Sequence, residues 1–184
     1  KRIQRRKITK AEIEKRLDLR KELIFTIDGA EAKDLDDAVS VKKIKDGWKL
    51  SVHIADVSHY VKAGSELDKE ALRRGTSVYY PGHVVPMLPF ALSHGICSLN
   101  PGVDRLTFSA LMEVDKDGRR YKARFAKSVI RSGARMTYNK VNRILAGDKA
   151  LREEYQGITT VIIAQRVSSI LHADHILVLE EGKE

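Results

Sequence analysis

The sequence predicts a mixed α and β fold. Three observations carry this. Runs rich in β-branched and aromatic residues are bounded by turn dipeptides. Helix caps precede short amphipathic stretches at the right spacing. Between the two kinds of segment lies an interval holding all four prolines, Pro81, Pro86, Pro89 and Pro101, which suits neither a helix nor a central strand.

In chain order, Thr9-Lys10-Ala11-Glu12 reads as a capping box with Ile13 and Leu17 following at helical spacing, so a short basic helix is predicted over 10–21. LIFTI, AVSVKKI and KLSVHIADV read as strands, the last two joined by an Asp46-Gly47 hairpin signal. Ser65 caps a helix through KEALRR that Gly75 stops. Residues 76–104 are expected to be mostly irregular. RLTFSALMEVD and YKARFAKSVIRS are two further strands around the turn Lys116-Asp117-Gly118-Arg119, and a helix runs from Tyr138 to near Gly147. Thr159 to Glu184 reads as strand, helix, strand, with TVIIA apolar enough for a parallel sheet. A boundary is placed at Gln156-Gly157.

The chain has 184 residues, 42% of them hydrophobic, enough for one ordinary domain or one domain plus a fragment. Lys and Arg number 34 against 25 Asp and Glu, a net charge of +9. Such an excess points to a polyanion, nucleic acid first, or else to a soluble protein with a basic surface. Residues 1–22 hold ten of the cations and four of the acids, so +6 of the +9 sits there. That stretch is read as a connector, with nucleic-acid backbone contact as a secondary role. Cys97 is the only cysteine, which excludes an internal disulfide and fits a reducing compartment. KRIQRRK leads into no apolar signal-peptide core, and no apolar run approaches the ~20 residues of a membrane span. A cytoplasmic protein is expected.

TIDGAEAKDLDDAVSV is the stretch that carries chemistry. It crowds Asp28, Asp34, Asp36 and Asp37 between two apolar strands. Carboxylates so placed repel one another and lose solvation, and a divalent cation is the simplest counter-charge. Hard oxygen ligands with no adjacent Cys or His select Mg²⁺ or Mn²⁺. In an extended segment Asp34 and Asp36 share a face and Asp37 faces away, unless a local bend turns it inward. Two metals about 4 Å apart would suit phosphodiester hydrolysis. The competing reading makes some of these aspartates turn residues. An EF-hand is excluded by spacing and by the absence of its terminal Glu.

With VHIADVSHYVKAGSELDKEALRRGTSVYYPGHVVPMLP, LSHGICSLNPGVDRLTFS and SVIRSGARMTYNKVN, this stretch closely resembles the RNB catalytic domain of the ribonuclease II family, processive 3′→5′ exoribonucleases, in its ribonuclease R branch. The resemblance covers 18–156. It implies Mg²⁺-dependent hydrolysis of RNA to nucleoside 5′-monophosphates, with the family's four metal-binding aspartates falling on Asp28, Asp34, Asp36 and Asp37. It selects Tyr79, two residues before Pro81, as the aromatic that clamps the 3′ end of single-stranded RNA, with Tyr80 the runner-up.

Asp56 is read as an arginine's partner or a support of the metal shell, His53 and His59 as hydrogen-bonded framework, and Cys97 as a core residue. Arg73, Arg74, Arg105, Arg131 and Arg135 could hold phosphates but each reads first as a surface charge. The expected organisation is a basic linker or helix over 1–22, a partial RNB catalytic domain over 23–156, and a separate fragment over 157–184. TTVIIAQRVSSILHADHILVLEEGKE resembles the C-terminal switch region of an ABC-transporter ATPase, with Gln165 where a histidine is common. No G-x-x-x-x-G-K-[ST] loop is present, so no ATP binding is expected. The whole therefore reads as a chimera. The family's downstream arginine signature, cold-shock domains and OB-fold domain do not appear in these residues, so a poor or inactive nuclease is expected. The rival reading is a non-catalytic RNA-binding fragment.

Overall fold

A computed structural model describes residues 8–155. The segment 157–184, with its predicted strand, helix and strand, lies outside the described residues. Residues 8–155 form the mixed α and β fold that the sequence predicts. The elements are α1 (Lys10–Glu14), β1 (Leu17–Asp18), β2 (Phe25–Asp28), β3 (Asp37–Ile44), β4 (Gly47–Ala55), α2 (Val57–Tyr60), α3 (Glu66–Arg74), β5 (Val78–Tyr80), β6 (His83–Val85), a wide helical turn (Ala91–Ile96), β7 (Asp104–Asp115), β8 (Arg120–Arg131), β9 (Ala134–Thr137), α4 (Tyr138–Leu145) and α5 (Lys149–Glu154).

Seven strands make one sheet in the order β1-β8-β7-β4-β3-β2-β9. β3, β4, β7 and β8 run antiparallel to their neighbours, and β1 and β9 add in parallel to β8 and β2. The β3–β4 turn closes at Ile44↔Gly47. A Cβ at Gly47 would stand 2.0 Å from the Val114 carbonyl oxygen of β7, so the sheet closes up only because that position has no side chain.

The period-two alternation of the strands sorts two cores onto opposite faces. Ala38 and Ile24 join Leu19, Leu35, Ala55, Leu92, Ile96, Cys97, Leu99 and Ile130 on one face. Phe25 and Val39 join Met136 and Val141 on the other, beneath α4. Each fully buried aliphatic or aromatic side chain contributes about 1.5–3 kcal/mol from the transfer out of water.

Four differences from the sequence reading have physical causes. The first helix keeps its capping box but ends at Glu14, not at residue 21. Arg16 is instead drawn into a buried ion pair with Asp56 at 2.6 Å, and Leu17–Asp18 pair with Ser128 and Val129 of β8. The interval 76–104 is more ordered than expected: it holds the β5–β6 hairpin, with Tyr79 opposite Val84, and the turn 91–96. Ala134–Thr137 form a strand, because parallel pairing with Phe25–Asp28 outweighs their place at the start of an amphipathic pattern. Helix α5 carries no apolar stripe long enough to announce itself and follows from its Asp148 cap, which accepts from the Leu151 N–H. No helix among the described residues is long and apolar enough to cross a membrane.

Candidate active site at the end of strand β2

Asp28 is the last residue of β2 and Asp37 the first of β3. Between them Leu35 is fully buried in the core. Its N–H donates to Ser98 Oγ (3.1 Å), its carbonyl accepts from the Leu99 N–H (2.8 Å), and Ser98 Oγ donates to the Lys33 carbonyl (2.8 Å). The Asp36 carbonyl accepts from the Ala55 N–H at 2.9 Å. The aspartate segment is thus an anchored strip held at both ends by the sheet.

The carboxylates act on one another. Burial pushes the Asp28 carboxyl up to about 6, the Asp37 charge adds to that, and Arg135 opposes it. Burial also raises Asp36, followed by the charges of Asp34 and Asp37. Asp37, exposed at the first position of β3, acts on Asp28 through its charge. Asp28 Oδ2 is buried with no hydrogen-bond partner, and a hard cation is the kind of group that such an oxygen accepts. The donor set fits a Mg²⁺- or Mn²⁺-type ion in this respect. Yet among the described residues no three His, Cys, Asp or Glu side chains converge as a ready ligand cage.

Tyr79, 66% exposed on the β5–β6 hairpin, donates its hydroxyl proton to Asp34 Oδ2 at 2.7 Å. That bond is the first cause raising the Tyr79 pKa. The residue that the family resemblance selects as a clamp thus reaches back to the aspartate cluster, and Tyr80 makes no such bond among those described.

The remaining candidates divide cleanly. Asp56 lies in a structural pair: burial pushes its carboxyl up, but bonds from Arg16 and Ser58 outweigh this and hold it below the usual carboxylate value. His53 is fully buried between Ser109 Oγ (2.7 Å from Nδ1) and Ser40 Oγ (3.4 Å from Nε2), and burial, aided by Lys49, lowers it to about 4. His59 lies between Arg16 and Glu12 Oε1, 2.7 Å from the latter. Both histidines are framework. Burial pushes the Cys97 thiol up to about 12, and the Asp36 charge adds to it, leaving a protonated core residue. Arg73 and Arg74 pair with Glu70, and Arg131 pairs with Asp104. Two arginines are not surface charges. Arg105 donates to the Ser98 and Gly95 carbonyls (2.7 and 3.2 Å), and Arg135 binds the 29–32 loop. Arg16 and Ser98 were not legible as site supports, because nothing in their spacing marks residues that act across 40 or 63 positions.

Comparison with known proteins bears on the family and the fold. The RNB domain family model matches residues 16–181, which runs past Gln156-Gly157. The chain is 53% identical over 167 residues to ribonuclease R 1 of Lactococcus lactis, covering 90% of this chain and 20% of the relative. It is 54% identical over 148 residues to ribonuclease R of Thermotoga maritima, covering 80% and 21%. The chain therefore spans about a fifth of the length of the curated relatives it matches. Mycoplasma genitalium RNase R in complex with ribose-methylated single-stranded RNA has a similar fold, with a TM-score of 0.76 and 38% identity over 80% of this chain and 23% of that one. On the family match and the shared fold together, the chain belongs to the RNB domain family.

Proposed function

We propose that this chain carries the metal-binding catalytic part of a 3′→5′ exoribonuclease of the ribonuclease R type, which hydrolyses RNA to nucleoside 5′-monophosphates. The observation that carries this reading is the anchored aspartate strip, with the partnerless buried oxygen of Asp28 at its start and the Tyr79 hydroxyl on Asp34. Asp28, Asp34, Asp36 and Asp37 would hold one or two Mg²⁺ or Mn²⁺ ions. Such an ion supplies an acidified bound water and neutralises charge on the phosphate. The chain's own contribution is positional. Leu35 and its bonds to Ser98 and Leu99 fix where Asp34 and Asp36 stand, and Tyr79 offers a ring face beside them. A single-stranded RNA 3′ end is the substrate that this ring and the basic chain suit.

The test is release of nucleoside 5′-monophosphates from 3′-tailed single-stranded RNA in Mg²⁺, with Asp36→Asn as the blank. Release in the parent chain is expected to be slow, as for a poor nuclease, and to vanish in Asp36→Asn while RNA binding persists. RNA binding with no Asp36-dependent release would leave the non-catalytic RNA-binding reading in its place.

Tyr79 separates stacking from hydrogen bonding. Tyr79→Ala is expected to weaken binding of the RNA 3′ end by about 1–3 kcal/mol, the worth of one base stacked on an aromatic ring. Tyr79→Phe keeps the ring and should keep most of that affinity. Fluorescence anisotropy over a salt series measures both, with log K falling at about −0.7 per phosphate neutralised on a single strand. Equal affinities for the parent and Tyr79→Ala would remove the clamp. Residues 157–184 are further read as an ABC-like fragment joined to the RNB part, on the resemblance of their sequence alone. A cytoplasmic location likewise rests on the sequence.

A further inference from the structure

We propose that Arg135 is the positioning residue of the aspartate site, its guanidinium fixing the loop 29–32 and through it the placement of Asp28 against the Asp34–Asp37 strip. This inference rests on the metal-site reading given above.

Arg135 stands on β9 opposite Thr26, and Thr137 stands opposite Asp28. In a parallel pair at that register, Thr26, Asp28, Arg135 and Thr137 share one face of the sheet. The Arg135 side chain leaves its own strand to reach the loop that follows β2. Its Nη2 donates to the carbonyls of Ala30 (2.7 Å) and Ala32 (2.7 Å), with a longer contact to Gly29 (3.3 Å). That loop has little else to shape it: its one internal backbone bond runs from the Ala32 N–H to the Gly29 carbonyl (3.1 Å), and Glu31 and Gly29 are exposed. One guanidinium nitrogen gathers three carbonyl oxygens of this loop. Bonds with a charged partner are roughly twice as strong as neutral ones.

A second observation points to the same place. Thr26 Oγ1, Asp28 Oδ2 and Arg135 Nε are all buried side-chain polar atoms with no hydrogen-bond partner. They occupy neighbouring positions of the β2–β9 pair. Buried polar atoms are seldom left so, and their concentration on this face marks it as a place where the protein keeps donors and acceptors in reserve beside the aspartates. Arg135 thus closes the loop with one nitrogen and contributes to that polar floor with another.

The sign of one measurement separates a positioning residue from a mere counter-charge. If Arg135 only competes with a bound cation for the carboxylates, removing its charge should tighten Mn²⁺ binding. If it positions them, removal should weaken binding, on the scale of about 10–100-fold that supporting residues of metal sites show. The experiment is Mn²⁺ titration by calorimetry with the 184-residue chain, Arg135→Met and Arg135→Lys, together with hydrogen exchange of peptides spanning 29–34. Methionine keeps the stem and removes the charge and the donors. Lysine keeps a cation with donors on a shorter reach.

The expected result is weaker Mn²⁺ binding and faster exchange at 29–34 in Arg135→Met, with exchange in β7 and β8 unchanged and partial recovery of both properties in Arg135→Lys. Unchanged or tighter Mn²⁺ binding in Arg135→Met, or unchanged exchange at 29–34, would overturn the proposal. Should Arg135→Met not fold, the same two readings of Arg135→Lys against the parent decide it. If the parent itself shows no Mn²⁺ binding that depends on Asp28 and Asp37, the metal reading fails, while loop exchange still shows whether Arg135 holds the loop.

Discussion

Replacing Arg16 by alanine is expected to destabilise the fold by about 3–5 kcal/mol, the cost of leaving one member of a buried ion pair alone. The Arg16 and Asp56 side chains are 5% and 3% exposed and 2.6 Å apart. The same guanidinium bonds the Thr107 and Ser128 carbonyls at 3.3 and 3.4 Å, so its loss removes a donor from three acceptors. The effect should depend on pH. In the parent, the Asp56 carboxyl is held below its usual value, so its contribution is present above the ordinary carboxylate range and lost only as pH falls through the depressed folded value. Without Arg16, burial dominates and favours the protonated acid. The penalty should therefore be largest near pH 7 and shrink toward pH 4. Urea unfolding at the two pH values measures it. A cost under about 1 kcal/mol at pH 7, in the range of exposed pairs, would show that the pair is not buried as described.

Asp28→Asn with Asp37→Asn is expected to abolish Mn²⁺ binding and, in metal-free buffer, to raise the melting temperature. Both effects have one cause. The Asp28 carboxyl is pushed up by burial and by the Asp37 charge, so as pH rises through about 6 the folded state must carry an ionised group that it disfavours, and stability falls across that interval. Two asparagines remove the repulsion along with the ligands. Each kcal/mol recovered should raise the melting temperature by about 2–4 °C for a chain of this size. Thermal melts of parent and variant at pH 7, with and without Mn²⁺, give the result. The parent should gain stability from the ion and the variant should not. An equal Mn²⁺ shift in both would show that the ion binds elsewhere.

The two predictions describe opposite uses of buried charge. Asp56 has a fixed arginine and holds the N-terminal strand to the sheet. Asp28 has no fixed partner on its buried oxygen and is surrounded by further carboxylates. Only the second is costly to a folded protein without a ligand, which is the pattern expected of a functional site.

How much of this the sequence held follows from the range of the forces involved. Runs of β-branched and aromatic residues between turn signals foretold β2, β3, β4, β7 and β8, because such side chains suit a pleated, half-buried surface and each residue carries that preference itself. Local caps foretold α1 and α3 for the same reason: Thr9 and Ser65 bond N–H groups only three residues away. The helix expected from Tyr138 proves to have such a cap too, Thr137. The four aspartates were legible because their crowding is itself a local electrostatic fact. The parallel additions β1 and β9 were not legible, since a two- or four-residue strand has no periodicity to read and exists only where a partner edge is free. Asp56 gave no sign in the sequence of which partner it would take, and Arg135 looked like any surface cation. The partner of each is set by the register of strands distant in the chain, Leu17 on Ser128 and Thr26 on Arg135. The sequence by itself determined the strands, the caps and the cluster of charge. Only the tertiary structure decided which cations stand beside which carboxylates, because hydrogen bonds and ion pairs depend on separations in space that no spacing along the chain encodes.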